Sequence, residues 1–243
     1  MKTFREEKNF NWCPGCGHGI VARLCAELIE ENNLRDRTCC VVGIGCGGFH
    51  HHYMHIDALE AMHGRAVAVA TGYKLGLPKN FVYTLQGDGD CASIGLSELM
   101  HAANRGTPIT VIMVNNGVFG MTGGQMSPET LLNQKTPTCP AGRDATMHGN
   151  PLKVPEMMQE MDGIAYLARL SVATPTLVRK AKRGLACAFK AQEENLGFSF
   201  VEILSTCPTG WRMSVVDSYK RLADEVAKVL PVKEFINKVG GAS

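Results

Sequence analysis

Five short apolar runs alternate with stretches of helical periodicity along this chain. "CCVVGIG" (39–45), "FVYTLQ" (81–86), "ITVIMV" (109–114), "AYLARL" (165–170) and "FSFVEIL" (198–204) read as buried strands. Residues 18–31, 63–77, 92–105, 155–161 and 175–194 carry the helical pattern between them. Thr174 before Pro175 predicts an N-cap followed by proline at the first helical position. This alternation predicts an α/β fold: a doubly wound, mostly parallel sheet with helices on both faces. Residues 1–215 then form one domain. Residues 216–243 read as an amphipathic helical tail, interrupted at Pro231 and packed on that domain or on a partner. Residues 115–150 are long, unpatterned and rich in Gly, Thr and Pro, as a functional or mobile connection is.

The chemically distinctive segments follow strand ends. "GIGCGG" follows the first strand, "GDGD" the second and "NNGVFGMTGGQ" the third, while Cys207 lies just past the fifth. Open α/β sheets bind ligands outside the carboxyl ends of their strands. Glycines on each side of Asp88 let backbone approach a phosphate, and the following helix offers N–H groups and a positive dipole end. Asp88 is then suited to a divalent cation that bridges to phosphates. Asn116 and the carbonyl of Val118 can complete the protein's share of an octahedral Mg²⁺ shell. A lone "GDG" or "NNG" is an ordinary turn. Here the two follow adjacent predicted strands, with 25 residues (90–114) between them.

Composition narrows the classes. The chain has 243 residues, 45% hydrophobic and 20% charged, with formal net charge +2. That balance gives no reason to expect nucleic acid or an anionic membrane as partner, and the basic run Arg179–Arg183 has the spacing of a solvated helix face. The start "MKTFREEKNF" has no apolar signal core, and no apolar run is long enough to span a bilayer. The expected setting is cytoplasmic, where ten cysteines point to metal or catalysis more than to disulfides.

Cys13 and Cys16, in "NWCPGCGHGI", fit a dithiol couple at a helix start, but the polar "KNFN" before them is no strand. They also fit half of a metal site that Cys46 and Cys207 would complete, and four thiolates suit zinc or an iron–sulfur cluster alike. Cys139, in "TPTCPAGRD", is the rival to Cys46 for the fourth place. Cys25, Cys187, Cys39 and Cys40 read as core residues, as does Cys91, though it opens a helix near the diphosphate turn. The run "HHHYMH" (50–55) reads as a loop or an interface surface, since adjacent histidines cannot all face one metal from regular structure.

Together "WCPGCGHG", "GIGCGG", "HGRAVAVATGYKLGLP", "GDGD", "NNGVFGMTGGQMSPET" and "LSTCPTGW" resemble the β subunit of 2-oxoacid:ferredoxin oxidoreductases over residues 10–215. The resemblance implies a fold of the thiamine diphosphate-binding type, with thiamine diphosphate, Mg²⁺ and one 4Fe–4S cluster. By it, Asp88, Asn116 and Val118 hold Mg²⁺, and Gly87, Gly89 and Asp90 line the diphosphate through backbone groups. Gly45, Cys46, Gly47, His63, Gly64 and Arg65 border the cofactor, with His63 and Cys46 as candidate catalytic side chains. Gly120, Met121 and Thr122 close over the diphosphate and thiazolium region. Cys13, Cys16, Cys46 and Cys207 hold the cluster.

The implied activity is oxidative decarboxylation of a 2-oxo acid to acyl-CoA and CO₂, with coenzyme A as co-substrate and electrons passing through the cluster to external ferredoxin. It also implies an α subunit that supplies a glutamate to the pyrimidine, a ferredoxin-like subunit and a γ subunit. A dicarboxylate such as 2-oxoglutarate wants a cation. Phe49 follows Cys46 instead, which leans towards an aliphatic or branched 2-oxo acid, with 2-oxoglutarate or pyruvate as alternatives. Two other classes use part of the pattern: a non-catalytic zinc or redox protein needs only the cysteines, and a clusterless thiamine carboligase needs only the GDG and NN turns.

Overall fold

In the computed structural model, which describes residues 2–5 and 10–240, all five apolar runs are strands. They are β1 (Thr38–Val42), β3 (Phe81–Gly87), β4 (Thr110–Asn115), β7 (Ile164–Ser171) and β8 (Phe198–Leu204). Two further strands, β2 (Asp57–Glu60) and β9 (Lys233–Asn237), widen the sheet to seven, in the order β2-β1-β3-β4-β8-β7-β9. Every neighbouring pair is parallel except β7 with β9.

The longer helices are α1 (His18–Glu31), α2 (Ala66–Gly76), α3 (Leu96–Asn104) and α6 (Pro175–Glu193). Short ones follow the rim loops or precede strands: α4 (Ala145–His148), α5 (Val154–Met158), α7 (Pro208–Trp211), α8 (Val215–Arg221) and α9 (Ala227–Val229). Among the described residues no helix is long and apolar enough to cross a membrane.

Alternation along the strands sorts the core into two layers. Cys40, Val42, Tyr83, Leu85, Ile112 and Val114 pack towards α1 and α6, whereas Cys39, Val41, Val82, Val111 and Met113 pack towards α2 and α3. Both faces are thus dry, and this is why the strands read as continuous apolar runs rather than alternating ones. Thr174 caps α6 as its sequence predicts, its Oγ1 accepting from the N–H of Leu177 at 3.2 Å.

Three expectations change. The tail is not helical throughout: after Pro231 the chain extends as β9 and pairs antiparallel with β7, while residues 241–243 lie outside the described residues. A strand at a sheet edge is only half-buried, so "KEFIN" lacks the apolar run that marks the central strands. Likewise, β2 is exposed along its whole length and carries no hydrophobic signal. The helix expected at 92–105 is broken at Gly95, with a wide π-helical segment, Gly89–Ile94, preceding α3. Such π turns concentrate at functional sites. Of the polar stretch ahead of Cys13, Lys8 and Asn9 lie outside the described residues.

The histidine run is also more buried than a loop surface. His50 is fully enclosed, 2.6 Å from the Tyr83 hydroxyl, and burial pulls its pKa down to about 3, with His18 and His51 adding to the effect. A histidine held neutral in the fold stabilises it above the unfolded value near 6.5 and loses that contribution as pH falls towards 3. His50→Gln, which keeps a partner for Tyr83 but does not titrate, is expected to lose about 2 kcal/mol less stability than the parent between pH 7 and 5. Urea unfolding at the two pH values measures it; equal losses would refute the assignment.

Candidate active site

The carboxyl end of the sheet gathers the "GDGD", "NNG" and "GIGCGG" turns around one cavity. Asp88 ends β3 and is 1% exposed. Its Oδ1 accepts from the Asn116 N–H at 3.4 Å, and its Oδ2 accepts from the Ser127 hydroxyl. Burial pushes the Asp88 carboxyl up to about 7, although both donors favour its charged form. Among the described residues no lysine or arginine lines this cavity, and Asp88 and Asp90 are its carboxylates. A carboxylate in that position is short of a counter-charge, which a divalent cation would supply.

Asp88 and Asn116 are thus neighbours on the cavity wall. The Asn116 side-chain oxygen is turned onto the N–H of Val118 at 3.1 Å, and the indole of Trp211 fixes the Asn116 carbonyl at 2.9 Å. Val118 begins β5 (Val118–Phe119), which forms a small antiparallel hairpin with β6 (Gln125–Met126). Gly120, Met121 and Thr122 lie in this hairpin's turn and line the cavity, as do Gly87, Gly89 and Val118. A side chain built at Gly45 or Gly87 would meet no atom within 4 Å, so the glycines leave open space where a ligand can lie against backbone.

His63 and Asp90 form the opposite wall. Asp90 accepts from the Gly64 N–H at 2.8 Å and from the Gln86 amide at 2.5 Å, and His63 Nδ1 stands 2.7 Å from its Oδ1. Its carboxylate therefore orients the "HGR" turn. Three residues expected at the cavity border do not line it. Gly47 is tucked against the Leu85 carbonyl, and Gly64 (φ +75°) is pressed on Ile94 and Gly95. Arg65 is turned away to Glu98, 2.5 Å distant, and to the Ile94 carbonyl.

A second cavity, of about 240 Å³, adjoins the first and is lined by all four expected thiols, Cys13, Cys16, Cys46 and Cys207. The two cavities share Cys46, Asn116, Gly120 and Met121. Close packing brings the amino-terminal pair to the end of β8. The Thr206 hydroxyl donates to the Gly15 carbonyl at 2.5 Å, and a Cβ at Gly17 would collide with Ser205 Oγ. Trp12 ties the pair to the β1 turn, its Nε1 donating to the Cys46 carbonyl at 2.7 Å.

Burial pushes Cys16 up to about 12 and Cys207 to about 11, with the neighbouring thiols adding to both. Cys46 is raised for the same reasons. Metal binding, which takes up thiolates, offsets that cost. Among the described residues no three His, Cys, Asp or Glu side chains stand close enough to hold a single ion. Cys139 is absent from this cavity; its sulfur lies 3.6 Å from His148 Nε2.

A family model described as "Thiamine pyrophosphate enzyme, C-terminal TPP binding domain" matches residues 43–203. The chain belongs to that family. Among curated relatives it is 42% identical to ketoisovalerate oxidoreductase subunit VorA of Methanothermobacter marburgensis over 93% of this chain and 47% of that one. It is 36% identical to 2-oxoglutarate synthase subunit KorB of Archaeoglobus fulgidus over 88% of this chain and 75% of that one. It thus groups with β subunits of 2-oxoacid:ferredoxin oxidoreductases, and it spans about half the length of the VorA relatives. The fold matches a 2-oxoglutarate:ferredoxin oxidoreductase from Magnetococcus marinus, with TM-score 0.80 at 24% identity over 99% of this chain and 84% of that one.

Within this thiamine pyrophosphate domain, a buried charge network missed at the sequence level supports the "NN" turn. Asn115 Nδ2 donates to Glu129 and, at 2.7 Å, to Glu202, and its oxygen accepts from the Gly117 N–H at 3.0 Å. Arg169, opposite Glu202 in the β7–β8 register, donates to it at 2.7 Å and clasps Glu156 with two bonds of 2.7 Å. Burial, with the Glu202 and Asp88 charges, pushes Glu129 well above the usual carboxyl range. The readable signal was a charge inside each of two apolar runs, "LARL" and "FVEIL".

Arg143 is the second unforeseen brace. Its guanidinium donates to the carbonyls of Ser127, Pro128, Thr130, His148, Gly149 and Asn150 at 2.7–3.3 Å. Ser127, so held, keeps its hydroxyl on Asp88.

The Asp90 contacts predict a contrast in urea unfolding. Asp90→Asn faces the Gly64 N–H with an amide and is expected to cost about 1–3 kcal/mol. Arg65→Ala removes a partly exposed ion pair and is expected to cost less than about 1 kcal/mol.

Proposed function

We propose that this chain is the thiamine diphosphate-binding β subunit of a 2-oxoacid:ferredoxin oxidoreductase, working in the cytoplasm on an aliphatic or branched-chain 2-oxo acid. The observation that carries the reading is the shared wall between the Asp88–Asn116 cavity and the four-thiol cavity. A zinc protein has no use for the first, and a clusterless carboligase has no use for the second.

The donor sets fit both groups. A diphosphate beside Asp88 and Asp90 requires a cation, and Asp88 with the Asn116 and Val118 oxygens would hold Mg²⁺ there. The open space over Gly45 and Gly87 admits the diphosphate against backbone. Cys13, Cys16, Cys46 and Cys207 would hold a 4Fe–4S cluster, since four thiols spread round a cavity suit a cluster better than one tetrahedral ion. Bound thiamine diphosphate supplies the electron sink on which a 2-oxo acid loses CO₂.

The chain's own residues then orient and insulate. Asp88 would hold the cation as a carboxylate, kept in place by donors from Ser127 and Asn116. Asp90 fixes His63 at the cavity wall, where the imidazole can hold or pass a proton. Trp12 and Tyr53, their ring centroids 4.7 Å apart, pack beside Cys16 and Cys46 and would screen those two sulfurs from water. A cluster held by these thiols would supply the route for electrons to ferredoxin, with coenzyme A as the acyl-accepting co-substrate.

Partners complete the assembly: an α subunit that brings the pyrimidine-side glutamate, a ferredoxin-like subunit and a γ subunit. Among the described residues no glutamate lines the Asp88 cavity. The substrate preference rests on Phe49, which lines the thiol cavity, and on the absence of Lys or Arg from either wall among the described residues. A distal carboxylate would find no Lys or Arg among the described residues of either wall.

Anaerobic purification with the co-purifying subunits, followed by iron, sulfide, zinc and thiamine analysis, tests the reading. Cys207→Ser is expected to lower iron and sulfide together, and Asp88→Asn to lose thiamine diphosphate while keeping iron. Zinc in place of iron, or iron without thiamine, would overturn it. With 2-oxoisovalerate kcat/KM should exceed that with 2-oxoglutarate by at least about tenfold, or 1.4 kcal/mol; the reverse order would remove the substrate assignment alone.

A further inference from the structure

One side chain lies on the boundary of the two cavities without a role in either donor set. His18 opens α1 two residues after Cys16 and is 1% exposed. Its Nδ1 stands 3.3 Å from Cys16 Sγ, and its backbone N–H also serves that sulfur. The ring stacks on Trp12, with planes at 24°, and Trp12 in turn holds the Cys46 carbonyl. The opposite nitrogen, Nε2, is buried with no partner, and the ring forms part of the wall of the Asp88 cavity.

A metal-bound thiolate has no proton to offer, so a hydrogen bond between these atoms must take its proton from nitrogen. Placing that proton on Nδ1 leaves Nε2 of a neutral ring as an acceptor. This explains why Nε2 has no partner among the described residues: its partner belongs to whatever fills the cavity. A purely structural histidine at this depth would leave a polar atom unpaired, at a cost of about 1–3 kcal/mol, with nothing gained.

We propose that His18 is a positioning residue that donates Nδ1–H to the Cys16 sulfur and thereby raises the reduction potential of the cluster held by the four thiols. This rests on the reading that those thiols carry an iron–sulfur cluster. A donor aimed at a cluster sulfur stabilises the reduced state, which carries the extra negative charge. It therefore makes the cluster a better acceptor for an electron arising in the cavity alongside.

The test uses the anaerobically purified complex with its native partners. His18→Phe keeps an aromatic ring against Trp12 and removes the donor, while His18→Asn returns an N–H near the Nδ1 position. EPR-monitored redox titration of the cluster should show a roughly tenfold weaker one-electron reduction in His18→Phe, about 59 mV lower, with most of the shift recovered in His18→Asn. Iron and sulfide content should match the parent in both. An unchanged potential in a fully loaded His18→Phe, or an Asn variant that behaves like Phe, overturns the proposal.

Should His18→Phe not retain its cluster, the parent protein decides. Pulsed EPR of the reduced cluster with histidine ¹⁵N-labelled at the ring nitrogens alone should show an imidazole nitrogen coupled to it, and its absence overturns the proposal. A parent complex whose thiamine-binding chain carries no cluster at all instead overturns the functional reading beneath it.

Discussion

A parallel sheet buried on both faces leaves its polar chemistry one place to go. Every loop that follows a parallel strand emerges on the same rim, and here the loops after β1, β3, β4 and β8 carry Cys46, Asp88, Asn116 and Cys207. Helices on both faces seal the rest, so these loops meet each other rather than solvent. The amino-terminal thiol pair reaches the same rim only because α1 packs beside α6, and because glycines at 15 and 17 allow the turn to sit against β8's end.

The rim carries more negative groups than positive ones. Asp88, Glu129 and Glu202 are all fully buried and within electrostatic reach of one another, and Arg169, already shared with Glu156, is the cation that answers them. Burial raises the carboxyls of Glu129 and Asp88 alike, and the neighbouring charges add to the effect at Glu129. The backbone of the "NN" turn is fixed from within the chain by Asn115 and Trp211.

Much of this was legible in the chain. Central strands announce themselves because burial on both faces demands continuous apolar residues, and Thr174–Pro175 marks the start of α6 through local chemistry alone. The GDG and NN turns and the strand-end cysteines could be placed because strand order puts them on one rim. What escaped has a common cause. β2 and β9 are edge strands with too little burial to imprint a pattern, and β9 is recruited by pairing with β7 across more than 60 residues of chain. Gly47, Gly64 and Arg65 sit in the right turns but face away from the cavity, since glycine spacing fixes a turn without fixing which groups look outwards. His18 read as a helix start alone; its closeness to a thiol depends on the ring's direction, which no linear pattern carries.

Arg143 changes the character of the longest connection. A loop that needed its ligand or partner for shape would have to be ordered at the moment of binding, with the corresponding loss of affinity. Six carbonyls gathered by one guanidinium make residues 127–150 a self-braced module instead. The entropy of shaping it is then spent during folding, which leaves contacts on the rim free to appear as binding strength and selectivity.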